Sequence, residues 1–191
     1  MKDIVREGNQ ILRNNSRNVE IPLSIQTKKT LIDMVGYLFN SQDEEKAKEL
    51  NLRPGVGIAA PQIGLNQNMF AILANDFDGK SWLLTVINPE IIKKSKEITY
   101  LPGGEGCLSV DRPTSGITPR HKKITVKFTM YDITKDKLET KKLDLEGYIA
   151  IVFQHEYDHL FGTLYVDKII SEKEAKKLGY TPLWETDDMN N

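Results

Sequence analysis

Residues 147–161 read GYIAIVFQHEYDHLF, and this stretch decides the fold. Its apolar residues would fit a buried strand. A run of about 15 residues that ends before Gly162, a natural residue to follow a helix, favours a helix instead. On a helix, one face carries Tyr148, Ile151, Val152, His155 and His159, and a second apolar stripe carries Ile149, Phe153 and Leu160. The sequence therefore predicts a central helix that is buried in the core.

The same stretch contains an HExxH motif, which is typical of hydrolytic metal sites. His155 and His159 are four residues apart, so both imidazoles lie on one helix face and reach the same ion. Glu156 stands beside them, where it can take a proton from a water molecule. Two of the three histidines in the chain belong to this motif. The competing interpretation is a helix with two structural surface histidines.

Length and composition indicate an ordinary globular protein. The 191 residues are 39% hydrophobic and 28% charged, with a formal net charge of −1, which gives no case for nucleic acid or anionic membrane as a partner. No apolar run approaches the ~20 residues that span a bilayer, and the charged N-terminus does not resemble a signal peptide. The single cysteine excludes a disulfide framework and suits a reducing compartment. We expect one cytoplasmic domain, residues 1–191, with a polar tail from about residue 171 that is frayed at 187–191.

Hydrophobic periodicity places the remaining elements. Strands are predicted at residues 69–74, 82–88, 91–99, 122–131 and 137–145, the last two as a hairpin. An amphipathic helix is predicted at 27–40 with Thr27 as its N-cap, and a short exposed helix at 43–50; residues 101–120 read as loop. The pattern predicts an α+β fold in which antiparallel or mixed sheets pack around the central helix.

A catalytic metal normally has a third protein ligand. In peptidases with an extended motif that ligand is a histidine six residues after the second one, but this chain has Tyr165 there. Glu172 and Glu174 could supply a downstream carboxylate, although a solvated helix face explains them better. Cys107 is the stronger candidate, because its glycine-rich loop, residues 103–109, lets the backbone approach a site closely.

Three separated segments resemble the signature motifs of peptide deformylases in order and spacing. They read GVGIAAPQ at 55–62, EGCLS at 105–109 and QHEYDH at 154–159. Residues 40–53, which precede the first motif, resemble an insertion of the longer, Gram-positive type (type 2). The resemblance covers roughly residues 4–167 and implies an enzyme that removes the N-formyl group from the N-terminal formylmethionine of new polypeptides and releases formate.

The resemblance also implies roles for individual residues. Cys107, His155 and His159 would bind one divalent metal, Fe²⁺ in the cell, with Zn²⁺, Ni²⁺ or Co²⁺ able to replace it. Glu156 would be the general base toward the water that attacks the formyl carbon, and the oxyanion would be bound by the Gln62 amide and the Leu108 backbone N–H. For the substrate, the resemblance points to Val56 and Gly57 as backbone contacts and to Glu105 near the amine end. Tyr148, Ile151 and Val152 lie on the helix face of His155, where they could line a methionine pocket.

Two other functions remain open at this point. One is a zinc metallopeptidase of HExxH type with a downstream carboxylate ligand, and the other is a non-catalytic module that binds a metal or a peptide. An organellar enzyme is a further alternative, but no Arg/Ser-rich transit peptide precedes the motifs. For a deformylase we expect N-formylmethionyl chains near the ribosome exit as partners, and a monomer.

Overall fold

A computed structural model describes residues 4–184. Its strands are β1 (Gly57–Ala59), β2 (Met69–Asn75), β3 (Ser81–Lys94), β4 (Ile98–Tyr100), β5 (Arg120–His121), β6 (Lys123–Asp132), β7 (Lys137–Glu146) and β8 (Thr181–Pro182). Its helices are α1 (Ile25–Gln42), α2 (Glu44–Glu49), α3 (Tyr148–His159) and α4 (Glu172–Lys177). The predicted α+β class is confirmed, and the HExxH motif lies on α3.

Two sheets form the scaffold. The larger sheet is antiparallel, in the order β1-β2-β3-β6-β7, and the smaller sheet, β5-β4-β8, is mixed because β4 and β8 run parallel. β6 and β7 form the predicted hairpin, with Lys123 opposite Glu146 and Asp132 opposite Lys137. The expectation of antiparallel and mixed sheets is therefore confirmed.

Helices α3 and α1 pack on opposite faces of the larger sheet. Phe70 and Ile72 of β2 lie in the core cluster of α3, whereas Met69 and Ala71 lie in the cluster of α1. Because successive side chains alternate across a strand, a strand that is covered on both faces reads as one apolar run. Phe153 of α3 is fully buried and meets Phe70 edge-to-face, with ring centroids 5.0 Å apart. The predicted central position of this helix is confirmed.

The two ends of α3 are fixed by other parts of the chain. At the start, the Ile149 N–H donates to the Asp76 carboxylate, 3.2 Å away, in the turn between β2 and β3. After the end, Gly162 adopts a left-handed φ of 69°. A Cβ at this position would lie 2.4 Å from the Arg13 carbonyl oxygen, so only glycine fits without a shift. These contacts set the position of the HExxH motif relative to the sheet.

Two local predictions need correction. Thr27 is not the N-cap of α1: Ser24 is, and its hydroxyl accepts a hydrogen bond from the Thr27 N–H at 3.0 Å. The break that was predicted after residue 88 is an irregularity within β3, which continues to Lys94. Asn88 has φ of 50°, and its side-chain amide bonds both the N–H and the carbonyl of Val19. The hydrogen bonds to Val19 thus stabilise Asn88 within the strand, at a position where the local sequence predicts a turn.

Part of the expected polar tail is folded. Ser171 caps α4, Ala175 of this helix is fully buried, and β8 pairs with β4. The smaller sheet and α4 therefore extend the fold to Pro182, the end of β8. The prediction of a frayed end at 187–191 falls outside the described residues.

Candidate metal centre and active site

Cys107, His155 and His159 bring three ligand atoms within 4.8 Å of one another. The Cys107 Sγ lies 3.4 Å from Nε2 of His159, and both residues are buried. A tetrahedral zinc-like ion, with bonds of about 2.3 Å to sulfur and about 2.0 Å to nitrogen, places such atoms about 3.5 Å apart. The donor set therefore fits one transition-metal ion. Glu172 and Glu174 are exposed on α4 and do not belong to this group.

A buried ion-pair network orients His155. The Glu105 carboxylate is 2.8 Å from Nδ1 of His155, which leaves Nε2 for a metal, and it pairs with both Nε and Nη2 of Arg120. Arg120 also pairs with Asp158, which accepts a bond from Lys168. Burial alone would raise the pKa of Glu105, but the charge and hydrogen bonds of Arg120, aided by His155, lower it to about 2. Glu105 therefore lies at the site as a carboxylate whose two oxygens are already bonded.

Tyr165 packs against His155 at the same site. Its ring stacks on that of His155, with centroids 5.8 Å apart and planes 25° apart. Its hydroxyl lies 3.0 Å from that of Thr114. Tyr165, which stands where an extended motif has its third histidine, thus packs against His155. The third histidine of the chain, His121, is on β5, where Nδ1 contacts the Ser95 carbonyl.

Glu156 is the one acid of the motif that faces the cleft. It is 3% exposed, and within residues 4–184 its Oε2 has no hydrogen-bond partner. Burial raises the pKa of Glu156 to about 7. A carboxyl group with a pKa near the working pH can both accept and return a proton. The backbone of Gly57 passes so close that a Cβ there would lie 2.3 Å from Oε1 of Glu156.

Gln62 is directed at the Cys107 thiol. Its Oε1 accepts a hydrogen bond from the Ala59 N–H at 2.8 Å, which fixes the orientation of the amide. Its Nε2 then lies 3.4 Å from the Cys107 Sγ and 3.3 Å from the Ser109 hydroxyl. Gln62 and Leu108 both line the cleft, together with Cys107 and His155. Their role as oxyanion donors stays a prediction.

The cleft has a volume of about 330 Å³, which suits a side chain and a short length of peptide. Its apolar wall on α3 is formed by Tyr148, Ile151 and Val152. Val56 and Gly57 line the opposite side, where β1 is an edge strand of the larger sheet. An edge strand can pair with an extended peptide through main-chain hydrogen bonds.

The structure therefore brings the residues that were singled out from sequence into one place. Sequence reasoning missed Arg120, Asp158 and Arg53. Arg120 lies in a loop-rich segment without periodicity, and no local signal shows that an arginine will be buried. Asp158 occupies a variable position of the HExxH motif, so the motif itself assigns it no role. Arg53 ends the extra segment 40–53, where nothing in the sequence marks it, yet it lines the cleft.

An HExxH helix at a buried Cys/His/His site defines a metal-dependent hydrolase. The family model described as "Polypeptide deformylase" matches residues 1–175, so the chain belongs to the peptide deformylase family. It is 51% identical over 169 residues to the peptide deformylase of Halalkalibacterium halodurans, which covers 88% of this chain and 90% of the relative. To peptide deformylase 2 of Bacillus cereus it is 49% identical over 172 residues, covering 90% and 91% of the two chains.

A solved structure supports the same fold. The crystal structure of peptide deformylase from Thermotoga maritima superposes with a TM-score of 0.65 at 34% identity, covering 89% of this chain and 98% of that one. The predicted activity, removal of the N-formyl group from nascent polypeptides by a metal-dependent hydrolase, is confirmed at the level of the family, as is the type 2 subclass. No helix among residues 4–184 is long and apolar enough to cross a membrane.

Proposed function

We propose that Cys107, His155 and His159 hold one divalent ion and that Glu156 is the general base of the deformylation. The observation that carries this proposal is the convergence of the three ligand atoms within 4.8 Å beside a buried carboxylate with a free oxygen. When bound, the ion lowers the pKa of water and polarises the formyl oxygen. Glu156 takes the proton of the attacking water and delivers it to the leaving amine.

The other residues position the substrate and bind the developing charge. The Gln62 amide and the Leu108 backbone N–H donate to the oxyanion. Loss of one such donor typically costs about 10²–10³ in rate. Val56 and Gly57 pair with the substrate backbone. Glu105 is expected near the amine end of the substrate, but Arg120 and His155 already bond both of its oxygens. We therefore propose that Glu105 acts indirectly, by orienting His155.

Tyr148, Ile151 and Val152 give the methionine pocket its apolar wall. This pocket lies one to two helical turns before His155, so the side chain of the first residue would extend along α3 while its formyl group reaches the ligands. Recognition of one side chain and a short backbone segment suits many different nascent chains.

Two variants test this assignment on formate release from formyl-Met-Ala, with elemental analysis of the anaerobically purified protein. Cys107→Ala should lose both metal and activity. A metallopeptidase with a downstream carboxylate ligand would retain both. Glu156→Gln should keep the metal and lose activity, because an amide cannot accept the proton. Full activity of Glu156→Gln would contradict the proposal that Glu156 is the general base.

We further propose ferrous iron as the metal in the cell, with zinc, nickel or cobalt able to occupy the same ligands. A thiolate ligand next to an oxidisable ion with an open position favours inactivation by oxygen. The iron-loaded protein should therefore lose activity in air faster than the nickel-loaded protein. Equal half-lives of the two forms would contradict the iron assignment.

We also propose that the protein acts in the cytoplasm as a monomer, on chains that emerge from the ribosome. In support, ligands, base and pocket all come from one chain, so a second copy is not needed for catalysis. Sedimentation at micromolar concentration should give a mass near 21.7 kDa. A dimer at that concentration would contradict the proposal that the protein is a monomer.

A further inference from the structure

The last residue of segment 40–53 reaches the loop that carries the cysteine ligand. Nη2 of Arg53 donates to the Cys107 carbonyl at 3.3 Å and to the Val110 carbonyl at 3.4 Å, and Nη1 donates to the Leu108 carbonyl at 3.3 Å. The same guanidinium pairs with Asp111. One side chain from the insertion therefore bonds four residues of a single loop.

One of these hydrogen bonds is accepted by the Cys107 carbonyl, which belongs to the peptide unit whose N–H is the proposed oxyanion donor. The Cys107 carbonyl and the Leu108 N–H belong to the same planar trans peptide, so they point in opposite directions. A donor on the oxygen fixes the plane of the unit and polarises its N–H, because linked hydrogen bonds strengthen one another. The Val110 N–H also donates to this carbonyl, at 3.2 Å, and remains when Arg53 is removed.

Building on the proposed role of the Leu108 N–H, we propose that Arg53 is a positioning residue for the oxyanion site. It holds the Cys107–Leu108 peptide so that the N–H faces the charge that develops on the formyl oxygen. Arg53 acts through that peptide and not on the reacting atoms. The insertion thereby gains a function in catalysis.

Arg53 is itself held by the end of α1. The Tyr37 hydroxyl donates to the Arg53 carbonyl at 3.2 Å. Two residues further along the chain, the N–H of Gly55 donates to the Ser41 hydroxyl, and Gln42 donates to the Gly55 carbonyl at 2.9 Å. The backbone on which the guanidinium is mounted is thus fixed, and its side chain is pre-organised to meet the loop.

Arg6 offers an internal comparison. It donates to the Leu108 carbonyl and pairs with Asp111 through Nε at 3.1 Å, but its bonds do not include the Cys107 carbonyl. The Leu108 carbonyl belongs to the following peptide unit. Loss of Arg6 therefore loosens the same loop without releasing the peptide that presents the Leu108 N–H.

The experiment compares Arg53→Ala, Arg53→Lys and Arg6→Ala on formyl-Met-Ala, with kcat expressed per bound metal. Arg53→Ala should lower kcat about tenfold, less than loss of a whole donor because the N–H remains. KM should change less than about twofold, since only transition-state binding is affected. Arg53→Lys should recover the rate in part, because a single ammonium nitrogen keeps the charge but cannot reproduce the rigid two-nitrogen fork with which Arg53 reaches three carbonyls. Arg6→Ala should lower kcat clearly less.

Arg112→Ala is the matched control, since this arginine of the same loop pairs with Glu7 and should leave kcat unchanged. Three results would overturn the proposal: an unchanged kcat per metal in Arg53→Ala, a rise in KM alone, or an equal loss in Arg6→Ala. Glu156→Gln is measured in parallel. If it stays active, the proposed mechanism fails; if it is inactive while Arg53→Ala is unaffected, only the role of Arg53 fails.

Discussion

Replacing Gly57 by alanine should displace Glu156, the proposed general base, without removing any functional group. The new Cβ would lie 2.3 Å from Oε1, 2.6 Å from Cδ and 2.7 Å from Cγ of Glu156. Real Cβ atoms essentially never come closer than 3.0 Å to such neighbours. The carboxylate must therefore move by about 0.7 Å or more, the difference between 3.0 and 2.3 Å. Glu156 is only 3% exposed, so the displacement takes place in a packed environment.

The size of the effect follows from this displacement. A misplacement of about 1 Å at a reacting group can cost ~10²-fold in rate, so we expect kcat for formyl-Met-Ala to fall by roughly that factor. Overpacking of a buried site typically costs about 1–3 kcal/mol in the free energy of unfolding. Formate release at saturating substrate and urea unfolding measure the two quantities. The metal content should remain unchanged, because Gly57 contacts the base and not a ligand.

A second variant separates this clash from a general defect. In a Glu156→Ala background the atoms that the Cβ would meet are absent, so Gly57→Ala should cost little further stability. Gly36→Ala serves as the matched control: a Cβ there meets nothing within 4 Å, so activity should be unchanged. A Gly57→Ala protein that keeps its kcat within about twofold, with an unchanged metal content, would refute the reasoning.

Three further results are expected. Gly36→Ala should raise the free energy of unfolding by about 0.5–1 kcal/mol, because Gly36 lies inside α1; a decrease would show an unseen clash. Phe153→Ala should lower it by about 3–5 kcal/mol in urea unfolding, since the ring is fully buried against Phe70; a loss below ~1 kcal/mol would contradict that packing. The pKa of Asp167 is below its usual 3.8, because bonds from Arg13 and a backbone N–H outweigh burial. Its contribution is therefore complete above pH 3.8 and is lost as the pH falls below it, so stability should change less between pH 5 and pH 3 in Asp167→Asn than in wild type.

Most regular elements could be read from the sequence because they depend on local periodicity. The β6–β7 hairpin alternates clearly, and the apolar circumference of α3 has no other explanation than burial. The errors occur where tertiary bonds override local signals. Asn88 looks like a turn residue, but its amide bonds Val19 and lets β3 continue. Thr27 looks like an N-cap, but Ser24 begins the helix one turn earlier.

Sequence alone also predicted the chemistry that we propose for the site. His155, Glu156 and His159 are fixed relative to one another by the pitch of one helix, so four residues of spacing suffice to predict a shared metal. The pitch of that helix does not predict Cys107, because Cys107 lies 48 positions before His155. Its glycine-rich loop is only a weak indication of function.

Only the tertiary structure decided how these groups are held. Arg120 is buried between Glu105 and Asp158, Arg53 bonds the loop of the cysteine ligand, and the backbone of Gly57 confines Glu156. Each of these contacts joins segments that are far apart in the chain, and hydrogen bonds of this kind leave no periodic pattern in the sequence. The pattern of residues therefore predicts which groups take part in the chemistry, whereas the packing of distant segments decides how each group is oriented and which neighbours it bonds.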